Sequence, residues 1–168
     1  DLPGPHYRLA QCALTAERAE QARASLLAEL ELDVEDPGAL VSMGSLFLAL
    51  GDTDHATHCL LRATSLDVTN ANAYYYLAVT AANKGNLEDA IQFFTHAINL
   101  RGDHVPTLRD SAYTYLAYGD FDEAAARISR ARALSPTDGE LRVLDYSTRV
   151  VRALNRLGRA VRRLNPRR

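Results

Sequence analysis

The chain has no tryptophan and one methionine, and Lys84 is its only lysine among 19 basic residues. Its two cysteines, Cys12 and Cys59, are too few for a disulfide framework, so the fold must be held by its apolar core. No run approaches the roughly 20 apolar residues needed to cross a bilayer, which excludes a membrane-spanning helix. No Gly-rich phosphate loop follows a strand, because no segment shows convincing strand periodicity; nucleotide-binding α/β architectures are excluded on that ground. No secretory leader is visible at the start. The opening Asp1-Leu2-Pro3-Gly4-Pro5 carries no Met, which fits a processed chain or a domain cut from a longer one, and the expected location is cytoplasmic. With 47% hydrophobic and 24% charged residues over 168 positions, the composition is that of one ordinary globular domain with a sizeable core.

Acid is missing from one end. Between Arg149 and Arg168 stand eight arginines and no Asp or Glu, giving that tail +8 and leaving −10 on residues 1–148 within an overall charge of −2.

What is present is a repeat. A shift of 34 residues superposes Gly51, Gly85 and Gly119, each followed by Asp or Asn (Asp52, Asn86, Asp120). The same shift aligns Ala56, Ala90 and Ala124, then Ala63, Ala97 and Ala131, then Leu66, Leu100 and Leu134. The Gly-Asp/Asn pair falls between apolar-periodic stretches, where glycine ends one helix in the left-handed conformation and the polar residue caps the next. The paired alanines lie seven apart and share a helix face, so small side chains let neighbouring helices approach closely. The leucines are expected to close that face. The pattern predicts helices at 37–50, 53–66, 71–84, 87–100, 105–118 and 121–134, with all six alanines buried.

The unit 71–104 resembles a tetratricopeptide repeat: Tyr74, Leu77-Ala78, Gly85, Ala90, Phe94, Ala97 and Leu100. Residues 105–138 fit through Leu108, Ala112, Tyr115, Gly119, Ala124, Ile128, Ala131, Leu134 and Pro136. Residues 37–70 fit through Leu40, Gly44, Phe47, Gly51, Ala56, Leu60, Ala63 and Leu66. The chain departs from the family in having no Trp at the first large position, and Pro at only one repeat end. The resemblance implies an all-α fold, an α-solenoid of antiparallel helix pairs forming a right-handed superhelix, in a single domain spanning 1–168. Residues 1–36 read as a degenerate first repeat, with a helix over Thr15–Leu32 and a short partner near His6–Leu14. Residues 139–165 read as a terminal helix that caps the array.

The family's groove is lined by the first helix of each pair. Carried over position by position, the resemblance implies a groove of Val41, Ser45 and Leu48, then Asn72, Tyr75, Val79 and Asn83, then Arg109, Tyr113 and Leu116, with Val143 and Ser147 from the terminal helix. Tyrosine supplies contact area with a hydroxyl handle, the Asn amides suit an extended backbone, and Arg109 suits a carboxylate. The family members that clamp the C-terminal carboxylates of heat-shock chaperones use several Lys, Arg and Asn together. This groove has no Lys, so it is not read as such a clamp. The bland alternative is that the tyrosines are packing residues.

A second candidate surface is the basic tail. Val150, Leu154, Leu157, Val161 and Leu164 recur at alternating four and three, and Arg149, Arg152, Arg156, Arg159 and Arg163 run along another face. The expectation is that the Leu–Val face docks on repeat 105–138 and the arginines point outward. There they would meet an acidic protein face or a second copy of the chain, or simply be solvated. The absence of aromatics argues against nucleic acid, and a membrane surface is the lesser reading.

Catalysis has little support. His55 and His58 with Asp52 and Asp54 lie at a repeat turn and lack the i, i+4 zinc spacing, so no metal site is expected. Tyr74-Tyr75-Tyr76 divides by helical geometry into a core, a groove and a flank residue. The chain is therefore expected to be a binding scaffold or adaptor for a protein or peptide segment, without enzymatic activity or cofactor and with possible self-association. The alternatives are a secretion-type chaperone, a non-catalytic repeat domain of a larger enzyme, and a self-assembling scaffold.

Overall fold

The computed structural model describes residues 19–32 and 34–164, with side chains as far as Arg159. Its elements, in chain order, are α1 (Ala19–Leu30), α2 (Pro37–Ala49), α3 (Thr53–Leu66), α4 (Ala71–Asn83), α5 (Leu87–Leu100), α6 (Val105–Tyr118), α7 (Phe121–Leu134) and α8 (Gly139–Leu164). The described residues are all-α, and the six repeat helices start and stop within about a residue of the sequence pattern.

The boundaries have local causes. Asp36 caps α2 by accepting from the amides of Gly38 (3.2 Å) and Ala39 (2.9 Å), just ahead of Pro37 at the first helical position. Asp52, Asn70, Asp120 and Asp138 accept in the same way from the first turns of α3, α4, α7 and α8. At each repeat turn the glycine is left-handed, with φ of 75°, 80° and 92° at Gly51, Gly85 and Gly119. The following amide reaches back five residues: Asp52 to Phe47 (2.8 Å), Asn86 to Ala81 (2.9 Å) and Asp120 to Tyr115 (2.9 Å). One hydrogen-bond pattern thus accounts for the Gly-Asp/Asn column.

The chain divides into two compact units, Asp1–Leu100 and Arg101–Arg168. In the first, α2 pairs with α3 and α4 with α5, α4 also packs on α3 and α2, and α1 lies on α2. Its core joins Leu26 of α1 to Leu40, Met43 and Phe47 of α2 and to Cys59 and Leu60 of α3. Burial of each large side chain there contributes about 1.5–3 kcal/mol. Gly44 matters because α3 comes so close: a Cβ built on it would lie 2.7 Å from Leu60 Cγ and 2.9 Å from Leu60 Cδ2. Asp52 ties the unit together across elements. It accepts from the His55 ring at 2.9 Å and lies 3.7 Å from Arg23 of α1, while the ring stacks on Phe47. Burial alone would raise the Asp52 carboxyl, but the His55 hydrogen bonds and nearby positive charge outweigh it and hold the pKa below its usual 3.8.

In the second unit α6 pairs with α7, and α8 packs on α7. Ala112, Ile128 and Leu144 form a buried cluster with Leu116 against it. Across both units the six repeat alanines are buried, from 0% to 2% exposed.

Three expectations need correction or limit. Leu66, Leu100 and Leu134 do not close the alanine face: they are 42% to 49% exposed, because each is the last residue of its helix. The N-terminal helix is seen from Ala19 to Leu30 with Ala22 and Leu26 buried, and Leu32 lies past its end, exposed. Residues 15–18, and the short partner near His6–Leu14, lie outside the described residues, as does Cys12. The terminal helix is turned the other way round from the expectation. Its buried side is Leu141, Leu144, Asp145 and Thr148, whereas Val150, Leu154 and Leu157 are exposed. Ion pairs border this face. Arg132 of α7 and Arg149 both bind Asp145, and Arg152 and Arg156 both reach Asp122 at the start of α7.

Candidate partner-binding site

On α4 the predicted groove residues form one line. Asn72, Tyr75, Val79 and Asn83 are spaced three, four and four apart, which keeps them on one face over about 16 Å. Asn72 and Asn83 are exposed, and Tyr75 and Val79 are half-buried. The Tyr75 ring meets Tyr76 edge-on at 5.0 Å and leans on Phe94 at 6.2 Å, so aromatic neighbours hold its orientation. Tyr74 goes elsewhere and stacks on His96 at 5.3 Å.

The α2 contribution is smaller than expected. Val41 is only 7% exposed and belongs to the core of the first unit, so it offers no contact surface. Ser45 is half-buried and its hydroxyl donates to the Ser42 carbonyl at 2.8 Å. Leu48 packs against the same core.

In the second unit, Arg109 and Tyr113 of α6 are brought together by a residue the sequence reading did not single out, Glu140 of α8. Arg109 Nη1 donates to one Glu140 carboxylate oxygen at 3.1 Å and the Tyr113 hydroxyl donates to the other at 3.3 Å. Arg109 Nε also donates to Asp110 at 3.1 Å. Burial and the Glu140 charge both raise the Tyr113 hydroxyl above its ordinary pKa. The guanidinium read as a carboxylate receptor therefore already holds an internal carboxylate. The signal available was Glu140 in the first turn of α8, close to one repeat length after Arg109. Leu116 packs on the core, and Val143 and Ser147 are exposed.

The arginines of the basic tail are ion-paired while remaining largely exposed. Arg149 Nη2 lies 2.9 Å from Asp145, Arg156 lies 3.4 Å from Asp122, and Arg152 pairs with the same carboxylate. Arg159 is exposed and, with Asn155 and Arg152, lines a polar cavity of about 310 Å³ whose opposite wall is Tyr118, Asp120 and Asp122. The side chain of Arg163 lies outside the described residues. The stripe is thus exposed but partly neutralised, by Asp145 of α8 itself and by Asp122 at the start of α7.

The four side chains weighed as metal ligands have other partners or diverge. His55 binds Asp52, Asp54 receives Lys84 Nζ at 2.8 Å, and His58 is exposed. Among the described residues no three His, Cys, Asp or Glu side chains converge, and no helix is long and apolar enough to cross a membrane.

Comparison with known proteins gives a consistent set of relatives. Two models described as tetratricopeptide repeat match residues 41–103 and 81–144. The peroxisomal targeting signal receptor of Candida glabrata is 26% identical over 108 residues, 64% of this chain; the match spans 18% of the receptor's own length. Among solved structures, MamA superposes with a TM-score of 0.77 at 19% identity, covering 87% of this chain and 85% of MamA. YrrB, described as a TPR protein with an unusual peptide-binding site, superposes with a TM-score of 0.69 at 20% identity, covering 81% of this chain and 70% of YrrB. At these identities the structural likeness speaks to the helical-repeat fold.

Proposed function

Because the chain belongs to the tetratricopeptide-repeat family, we propose that it is a protein-interaction scaffold that holds an extended partner segment along α4. The observation that carries this reading is the line Asn72, Tyr75, Val79 and Asn83: amide, aromatic, aliphatic and amide on one accessible helix face. About 16 Å of helix accommodates roughly five residues of extended chain. The two amides pair with backbone donors and acceptors of such a segment, and Tyr75 supplies a rigid contact whose ordering cost is already met by Tyr76 and Phe94. YrrB's peptide-binding site gives the reading a precedent within the fold. Arg109, Tyr113 and Glu140 form a second contact that carries both signs of charge. Since Glu140 occupies Arg109, a free partner carboxylate is not the preferred ligand there.

The test is affinity capture with the wild-type chain and with Tyr75→Ala combined with Asn72→Ala, read by quantitative mass spectrometry. Partners held along α4 should be depleted at least tenfold in the variant, which corresponds to about 1.4 kcal/mol. An identical partner set at identical recovery would remove α4 as the site.

A further inference from the structure

The face that α8 turns to solvent is a heptad seam. Val143, Ser147, Val150, Leu154 and Leu157 alternate at four and three residues, and the sequence continues the rhythm at Val161 and Leu164. Val143, Leu154 and Leu157 are 70%, 62% and 63% exposed, and Val150 41%. This side lies opposite the one packed on α7, so nothing within the second unit covers it. The seam runs about 32 Å along the helix.

The residues flanking the seam say what it fits. On either side stand Tyr146, Val151, Ala153, Gly158 and Ala160, none of them charged. In two-stranded coiled coils these flanks normally carry the charges that select a partner and its orientation. Among the described residues, Arg152 and Arg156 are held away from the seam by Asp122 and Arg149 by Asp145. A distinct acidic partner would find no positive flank to read. A helix lying in a membrane surface would place arginines at the borders of its apolar face, within reach of headgroups, and these borders are neutral. A second copy of the same helix meets no such obstacle, because each copy keeps its positive charge facing away from the contact.

We propose that α8 is a self-association element: two copies of the chain pair through this seam, with Val150, Leu154 and Leu157 of each copy at the contact. This surface is separate from the α4 line, and the pairing does not depend on the partner segment held there.

Sedimentation equilibrium on the full 168-residue chain tests the pairing. The wild type should be dimeric at about 100 µM, and Leu154→Glu with Leu157→Glu should weaken the dimer at least roughly a hundredfold. The variant should keep its circular dichroism spectrum, since both side chains are exposed in the single chain. Raising salt from about 0.1 to 1 M should leave the wild-type dimer intact or tighten it. A wild-type monomer at that concentration, a dimer indifferent to the double Glu variant, or a dimer dissolved by salt would each overturn the proposal. So would monomeric chain that binds phosphatidylserine vesicles through the same leucines.

Discussion

Replacing Gly44 by alanine sets two opposed effects of similar size against each other, and the structure says which wins. Gly44 lies inside α2, where glycine is about 0.8–1.0 kcal/mol less favourable than alanine, so propensity alone predicts a gain. The added methyl, however, would sit 2.7 Å from Leu60 Cγ and 2.9 Å from Cδ2. Carbon atoms in contact prefer about 3.5–4.0 Å, so a shift near 1 Å is required. Leu60 is 0% exposed and its branch point is the atom struck, so it cannot swing aside. Overpacking of this kind costs about 1–3 kcal/mol, leaving a net loss of about 1 kcal/mol for Gly44→Ala. In a Leu60→Ala background the obstacle is gone, and the same substitution should stabilise by about 1 kcal/mol, although Leu60→Ala itself costs about 2–5 kcal/mol. The expected signature is a reversal of sign, with a coupling of about 2 kcal/mol. Urea denaturation of the four proteins, followed by far-UV circular dichroism, measures it. An equal gain in both backgrounds would mean that Leu60 does not lie against Gly44.

Further outcomes follow from the same packing and charges. Ala90→Leu should overpack the α4–α5 interface and lower stability by about 1–3 kcal/mol in the same denaturation assay. The depressed Asp52 carboxyl contributes stability that is present above its unfolded value near 3.8 and is lost as pH falls through the lower folded value. Asp52→Asn should therefore reduce stability at neutral pH and flatten its decline below about pH 4, measured by urea midpoints across a pH series. Burial raises the Cys59 thiol to about 11, so peptide-resolved iodoacetamide labelling at pH 8 should modify it only once the first unit is unfolded.

The repeat was legible in the sequence because each recurring residue answers a local need. Gly51, Gly85 and Gly119 turn left-handed, the following Asp or Asn supplies the returning amide, and the alanines mark where helices touch. Such needs act over a few residues or one period, so self-comparison exposes them. The direction of α8 was not legible. Its apolar stripe suggested the buried face, but the helix buries Leu141 and Leu144 instead, with Asp145 meeting Arg132 and Asp122 meeting Arg152 and Arg156 alongside. Hydrophobic periodicity carries no information about such distant charge pairs. For the same reason Arg109 looked available while Glu140 held it. Val41 sits at a family groove position, yet packing made it core.

A chain built of near-copies runs a particular risk while it folds: a helix has several almost equivalent places to dock, and one repeat can settle against the wrong neighbour or against another molecule's repeat. The Gly44–Leu60 contact acts as a key against that error. At the corresponding places the later repeats carry Ala78 and Ala112, so a slip of one period would present a methyl where Leu60 tolerates only hydrogen. The steric overlap measured by Gly44→Ala is then also the penalty that a misregistered chain would meet. Removing it through Leu60→Ala should make refolding yields fall more steeply with protein concentration than the loss of stability alone explains.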